Sequence, residues 1–303
     1  MPGTQDISVH ARVPHSVGTN RPSRVLPVLA CDSHMHIFDA RFAPSPHWAR
    51  TPPHAPVAAY QQLQQRLGTA RTVVVTPSTY GTDNACTLDA LDQFGDSARG
   101  VAVVDAAVSD DALAQLAARR VRGLRVNFVS PQSWGTTTPE MLATLASKVA
   151  RHADCGGWHI QVFAQPEQIV ALAARLKALP VPLVIDHMGR IDPAEGPGGG
   201  AYRVLRELLD AGDTWVKLSG AYMRSTAHGP GYADTLPLGH ALVQAAPDRL
   251  VWGSDWPHTT EAPGTVNDAD LVDLLQAWAG SPAVMDRILV DNPARLYGFA
   301  PAP

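Results

Sequence analysis

An alternation constrains this chain more than any other feature of its 303 residues. Short β-branched, apolar runs lie at 26–37, 70–77, 99–105, 121–128, 158–164, 182–188, 214–220 and 249–255. Each has the length and flanking turns of a strand buried on both faces, as in a parallel sheet. Between them, stretches such as 109–119, 137–153, 165–178 and 235–246 space apolar residues three and four apart and read as amphipathic helices. Eight strands alternating with helices is the count a closed parallel barrel requires, and closure leaves no open sheet edge. The predicted fold is α/β, a single (β/α)8 TIM-type barrel over residues 25–303. Residues 1–24, rich in Pro, Ser, Thr and Gly and without periodicity, read as a mobile arm. A doubly wound open sheet is the alternative, weakened because no GxGxxG follows the first strand. The Gly/Pro-rich 192–200 segment reads as a loop.

Composition removes several function classes. With 45% hydrophobic and 17% charged residues the chain can bury a substantial core. A net charge of −4 without any dense Lys/Arg run gives no footprint for nucleic acid. No apolar run approaches the roughly 18 residues of a membrane span. Arg12, Arg21 and Arg24 precede the first strand without an apolar leader core, which argues against a secretory signal. Cys31, Cys86 and Cys155 form no CxxC pair, so neither a disulfide framework nor a cysteine zinc site is expected, and a cytoplasmic setting is. A homo-oligomer remains open.

A barrel demands its reactive residues at the C-terminal ends of the strands. The first run ends in Asp32-Ser33-His34-Met35-His36. Period-2 alternation sends His34 and His36 to one face, where two imidazoles can ligate a metal or donate to an oxyanion. The sixth run ends in Asp186-His187-Met188-Gly189-Arg190 and the eighth in Trp252-Gly253-Ser254-Asp255. An aspartate beside histidines from strands one and six is suited to activating water as general base. The bland alternative makes Asp255 a helix cap and His187 a core histidine. His34, His36, His187 and Asp255 are the candidate catalytic set.

The HMH (34–36), DHMGR (186–190) and WGSDWPH (252–258) segments, in this order, resemble the amidohydrolase superfamily. With TPSTYGTDN (76–84), RGLRVNF (122–128) and KLSGAYMRS (217–225) they are similar to its lactonase branch, which includes 2-pyrone-4,6-dicarboxylate and 4-sulfomuconolactone hydrolases and sugar-lactone isomerases. The resemblance runs from about residue 26 to the end. It implies that binuclear members bridge two metals with a lysine or glutamate on strand four and add a histidine at the end of strand five. Here strand four carries Arg125 and Asn127, and His159 lies near the start of strand five. Two metals are therefore not expected. One zinc on His34, His36, His187 and Asp255 stays open, while a metal-free site without any cofactor, as the resemblance to the pyrone-dicarboxylate lactonases implies, is preferred.

The same motifs supply an anion-recognition set: Ser78, Tyr80, Arg125, Arg190, Tyr222 and Arg224. Arginine forks match carboxylate or sulfonate oxygens with two parallel bonds. Arg190 has a surface ion-pair reading beside the functional one. Relative to the dicarboxylate lactonases, the resemblance implies a second arginine after strand four, where Ser130-Pro131 stand, and an asparagine where Thr259-Thr260 stand. Fewer cations favour a different acidic lactone. His47, Trp48 and His54, in the Pro-rich loop after strand one, are candidates to roof the pocket. The expected activity is hydrolysis of a small carboxylated or sulfonated lactone by water that Asp255 activates. Its rivals are lactone isomerisation, zinc-dependent decarboxylation and a silent anion-binding barrel.

Overall fold

The computed structural model describes residues 12–130, 138–227 and 231–300. The predicted runs contain eight parallel strands: β1 (Cys31–Met35), β2 (Arg71–Val75), β3 (Ala98–Ala102), β4 (Val121–Asn127), β5 (His159–Phe163), β6 (Leu183–Ile185), β7 (Thr214–Leu218) and β8 (Leu250–Trp252). They pair in chain order, each with the next. The seam between the last strand and the first is sewn just beyond β8. The Asp255 N–H donates to His34 O at 2.7 Å and the His36 N–H to Trp256 O at 2.9 Å. The Ser254 N–H and hydroxyl both donate to the Asp32 carboxylate. The barrel is the predicted one.

Helices alternate with the strands: α1 (Val57–Leu67), α2 (Ala85–Phe94), α3 (Asp110–Ala118), α4 (Pro139–Arg151), α5 (Pro166–Lys177), α6 (Gly200–Asp210), α7 (Leu236–Ala245) and α8 (Asp268–Ala279). Their starts are chemically marked. Ser109 accepts the Ala112 N–H ahead of Asp110 and Asp111, and Gln165 and Gln168 cap α5 reciprocally before Pro166. After α9 (Pro282–Asp286) and a π turn, the short α10 (Asn292–Tyr297) ends the described helices.

Two apolar layers divide the strands by alternation. Outward residues such as Val74, Leu124, Ile160 and Val216 pack against the helices. Inward, Cys31, Val73, Val75, Val101, Val184, Trp215 and Val251 fill one end of the barrel, closed by Tyr297 and Phe299. Full burial of such side chains contributes about 1.5–3 kcal/mol each. Farther along the strands the inward positions turn polar, with Arg125, Gln161 and Lys217 all buried. That switch places the reactive residues at the opposite, C-terminal mouth.

On β1 the alternation changes phase. Cys31 belongs to the inner apolar layer, yet His34, three residues on, also faces the barrel interior. The pairing of β1 with β2 shifts register between Asp32 and Met35, and such a bulge re-aims the side chains beyond it. His34 and His36 share a face as expected, but out of step with the start of their strand.

The described part of the expected arm, residues 12–24, lies against the barrel. The Trp256 indole N–H donates to Pro14 O at 2.9 Å, and the Val17 N–H donates to Val266 O at 2.9 Å. Arg66 donates to the Ser16 hydroxyl, and Arg24 pairs with Asp286 at 3.1 Å. Residues 1–11 lie outside the described residues, as does Pro131.

Candidate active site

The seam that closes the barrel also assembles the site. Main-chain bonds between the segments after β1 and β8 bring Asp255 against the two histidines of HMH. Asp255 Oδ1 lies 3.4 Å from His34 Nε2, 3.4 Å from His36 Nε2 and 3.9 Å from His187 Nε2. All four side chains are buried. Close approach depends on Gly253, where a Cβ would stand 2.6 Å from His34 Cβ. His187 and Asp255 have φ of 50° and 60°, a left-handed conformation that costs a non-glycine residue about 1–3 kcal/mol.

Beneath the histidines lies a buried ionic cluster that joins Arg125 to Asp186, Gln161 and Lys217. Asp186 Oδ2 accepts from Arg125 Nε at 2.9 Å and from Gln161 Nε2 at 3.1 Å, and its Oδ1 is 3.8 Å from Lys217 Nζ. Lys217 donates to Ser33 O at 2.9 Å and lies 3.1 Å from His34 Nδ1. Burial lowers the Lys217 ammonium to about 8, against the pull of Asp186. The signal for it was present: a lysine at an inward position of the otherwise apolar TWVKL strand. Burial alone would raise the Asp186 carboxyl, but the charges of Arg125 and Lys217 hold it well below the usual carboxylate range.

These contacts fix proton positions. His34 Nδ1 stands between the Lys217 ammonium at 3.1 Å and Asp186 Oδ1 at 3.3 Å; with the nearer ammonium as donor, that nitrogen accepts and Nε2 carries the ring proton, aimed at Asp255 Oδ1. Burial, and then Lys217, push His34 well below its ordinary value, which keeps it neutral. His36 is held the other way round. Its Nδ1 lies 2.8 Å from Val75 O and must donate to that carbonyl, so its Nε2 faces Asp255. His187 Nδ1 meets the Ser219 hydroxyl at 2.8 Å, and burial takes the imidazole down to about 4. Burial opposes the charge on Asp255, yet the imidazoles of His187, His36 and His34 hold it well below the normal range, an ionised base.

Ligand atoms of His34, His36 and Asp255 lie within 4.8 Å of one another, as do those of His34, Asp186 and His187. The fit to an ion is incomplete. A His34 Nε2 that carries a proton has no lone pair to give, and the Lys217 charge opposes a dication. His36 is placed differently: its Nδ1 meets Val75 O, and its Nε2 faces Asp255 Oδ1 at 3.4 Å, a spacing that a proton, a water or a cation between them would satisfy.

The expected recognition residues separate into groups. Tyr222 is in the site, its hydroxyl donating to Asp255 Oδ2 at 2.6 Å. Arg125 is beneath the site, its Nε committed to Asp186 and its guanidinium 4.9 Å from the Phe163 ring centroid. Arg190 crosses the same ring at 5.4 Å and donates to Gln165 at 3.1 Å rather than forming a carboxylate pair. Ser78 accepts from Asn127 at 2.8 Å. Arg224 reaches Asp192 at 3.4 Å and is half-buried. The Tyr80 hydroxyl serves the main chain of Asp39, accepting its N–H at 3.2 Å, which holds the loop after β1. In that loop Trp48 lines a cavity of about 380 Å³ with Arg50, Pro257, His258 and Thr259. His47 lines a separate hollow with Tyr80, while the His54 carbonyl is 2.9 Å from His15 Nε2.

Comparison with known proteins adds the lineage. The amidohydrolase family model matches residues 31–299. The 4-sulfomuconolactone hydrolase of Rhizobium radiobacter is 34% identical over 282 residues, covering 91% of this chain and 92% of that one. The 2-pyrone-4,6-dicarboxylate hydrolase of Comamonas testosteroni is 34% identical over 289 residues, covering 92% and 93%. A solved structure from Agrobacterium tumefaciens, 27% identical, superposes with a TM-score of 0.83 over 95% of this chain and 99% of the other.

Proposed function

Because the chain belongs to the amidohydrolase family, we propose that it hydrolyses a small anionic lactone, with Asp255 as the base that activates water. The convergence of three imidazole Nε2 atoms on Asp255 Oδ1 carries this reading. A water held at Oδ1 gives its proton to the carboxylate as its oxygen attacks the ring carbonyl. The tetrahedral oxyanion forms against the Nε2 proton of His34, with Arg125 supplying positive charge from below. The carbonyl–ring-oxygen bond then breaks and the ring oxygen takes the proton from Asp255, leaving a ring-opened acid. Lactones bearing a carboxylate or sulfonate are the substrate class, as the names of both curated relatives suggest for those proteins. Arg190, Arg224 and Ser78 are the proposed recognition groups, with Tyr80 acting through the loop it holds and Tyr222 through its bond to Asp255.

The proposed reaction runs without metal, since Lys217 makes His34 a hydrogen-bond donor. One observation favours the alternative of a single zinc on His34, His36, His187 and Asp255: the His36 Nε2 that faces a carboxylate. Zinc bound there would supply a Lewis acid and bring the pKa of its water towards neutrality. The reaction itself is tested by offering 4-sulfomuconolactone and 2-pyrone-4,6-dicarboxylate in oxygen-18 water. One heavy oxygen in the new carboxyl group is expected. Unlabelled product would make the enzyme an isomerase, and turnover of neither compound would remove both from its substrates.

A further inference from the structure

Asp255 has two oxygens, and the structure treats them differently. Oδ1 faces the three histidines, whereas Oδ2 accepts from the Tyr222 hydroxyl at 2.6 Å. Behind Tyr222 the chain of contacts continues. The tyrosine oxygen lies 3.1 Å from His258 Nδ1, and His258 Nε2 lies 3.1 Å from Asp268 Oδ2. Tyr222, His258 and Asp268 are all buried. Asp268 opens α8, where the helix N-terminus favours an anion, and its N–H is fixed to the Ser16 hydroxyl at 3.2 Å.

Proton counting along this row leaves one consistent arrangement. A carboxylate at Asp268 can only accept, so His258 Nε2 carries a proton. Tyr222 has one proton, and the 2.6 Å contact puts it on Asp255 rather than on the histidine. The tyrosine oxygen then needs a donor on its other side, which is a second proton on His258, at Nδ1. We propose that His258 is a buried imidazolium, paired with Asp268, that acts as a positioning residue by locking the Tyr222 proton onto Asp255 Oδ2. Oδ1 is thereby the single oxygen left to meet the attacking water. Asp268 and Tyr222 are the side-chain partners of the ring, and the His258 main-chain N–H donates to Asp255 O at 2.9 Å.

The state of His258 can be read in the resting protein, without any substrate. In protein labelled with 15N-histidine, the His258 resonances are those absent from His258→Gln. At about pH 7, where an ordinary imidazole with a pKa near 6.5 is mostly neutral, both ring nitrogens are expected to be protonated. Asp268→Asn should return the ring to the neutral form. A neutral His258 in the wild-type protein overturns the proposal. A second measurement rests on the lactonase reading. Tyr222→Phe and His258→Gln should each lower kcat about tenfold while leaving KM within about twofold, and the double variant should be no worse than Tyr222→Phe alone. Additive losses, or losses confined to KM, would show that His258 does not act through the tyrosine. If neither lactone is turned over, the lactonase reading fails while the spectrum still decides the state of His258.

Discussion

At the scale of single residues the site is a set of protons with assigned owners. Asp255 is the sharpest case. Asn keeps the shape and can still meet the Tyr222 hydroxyl, but it cannot take a proton from water. Asp255→Asn should therefore cost at least about 10²-fold in kcat with an unchanged circular dichroism spectrum; a variant that keeps most of its turnover removes Asp255 from the role. Lys217 is the less obvious one. Lys217→Met deprives His34 Nδ1 of its donor, so that nitrogen can take the ring proton and turn it to Asp186 Oδ1, 3.3 Å away. Nε2 then becomes a ligand. After incubation with zinc, the wild-type protein should hold less than about half an equivalent and survive chelation, and the variant should hold about one. Wild-type activity that dies with a chelator and returns with zinc would favour the mononuclear reading. The variant should also be less stable by about 3–5 kcal/mol, because a buried carboxylate loses one of its cations. The convergence of His34, His36, His187 and Asp255 was legible because each stands at or just beyond the C-terminal end of a strand. Asp186 and Lys217 were harder to see because their importance lies in one another, and strands six and seven pair only in space.

At the scale of elements, alternation along the strands was readable and its interruptions were not. Hydrophobic runs specify burial on two faces, which located all eight strands. They carry no signal for the register shift between Asp32 and Met35, since both phases of β1 place acceptable side chains inward. The helices α3, α4, α5 and α7 carry apolar stripes or N-terminal caps that the sequence displays; the use of the Tyr80 hydroxyl to hold the loop after β1 has no such signal. The seam between β8 and β1 offers the element-scale test. At Gly253 an added Cβ would lie 2.8 Å from the His34 N as well as against its Cβ, so two backbones must part. Gly253→Ala should destabilise by about 1–3 kcal/mol in urea unfolding and lower kcat more than it raises KM. Full activity with unchanged stability would show that the seam yields at no cost.

For the whole molecule, burial governs reactivity. Cys31, Cys86 and Cys155 are free and buried. Burial pushes the Cys31 thiol up to about 12 and Cys155 up to about 11, so neither offers a thiolate near neutral pH. In native protein a thiol reagent should label none of the three over the time in which denatured protein is labelled fully. Cys31 belongs to the inner layer, so its labelling rate should follow opening of the barrel. Rapid native labelling of Cys31 would mean that the barrel opens far more often than its closed seam suggests.

That seam has a consequence during synthesis of the chain. Asp32 and Ser254, which it joins, are 222 residues apart. A nascent chain displays the two histidines of HMH long before the segment bearing the base has been made, and a chain broken off before β8 keeps all three histidines with no carboxylate to complete them. If Asp255 is the base, competence arrives only with the segment after the final strand, whose main chain also bonds to the His34–His36 segment, and an incomplete translation product would be inert rather than partly active.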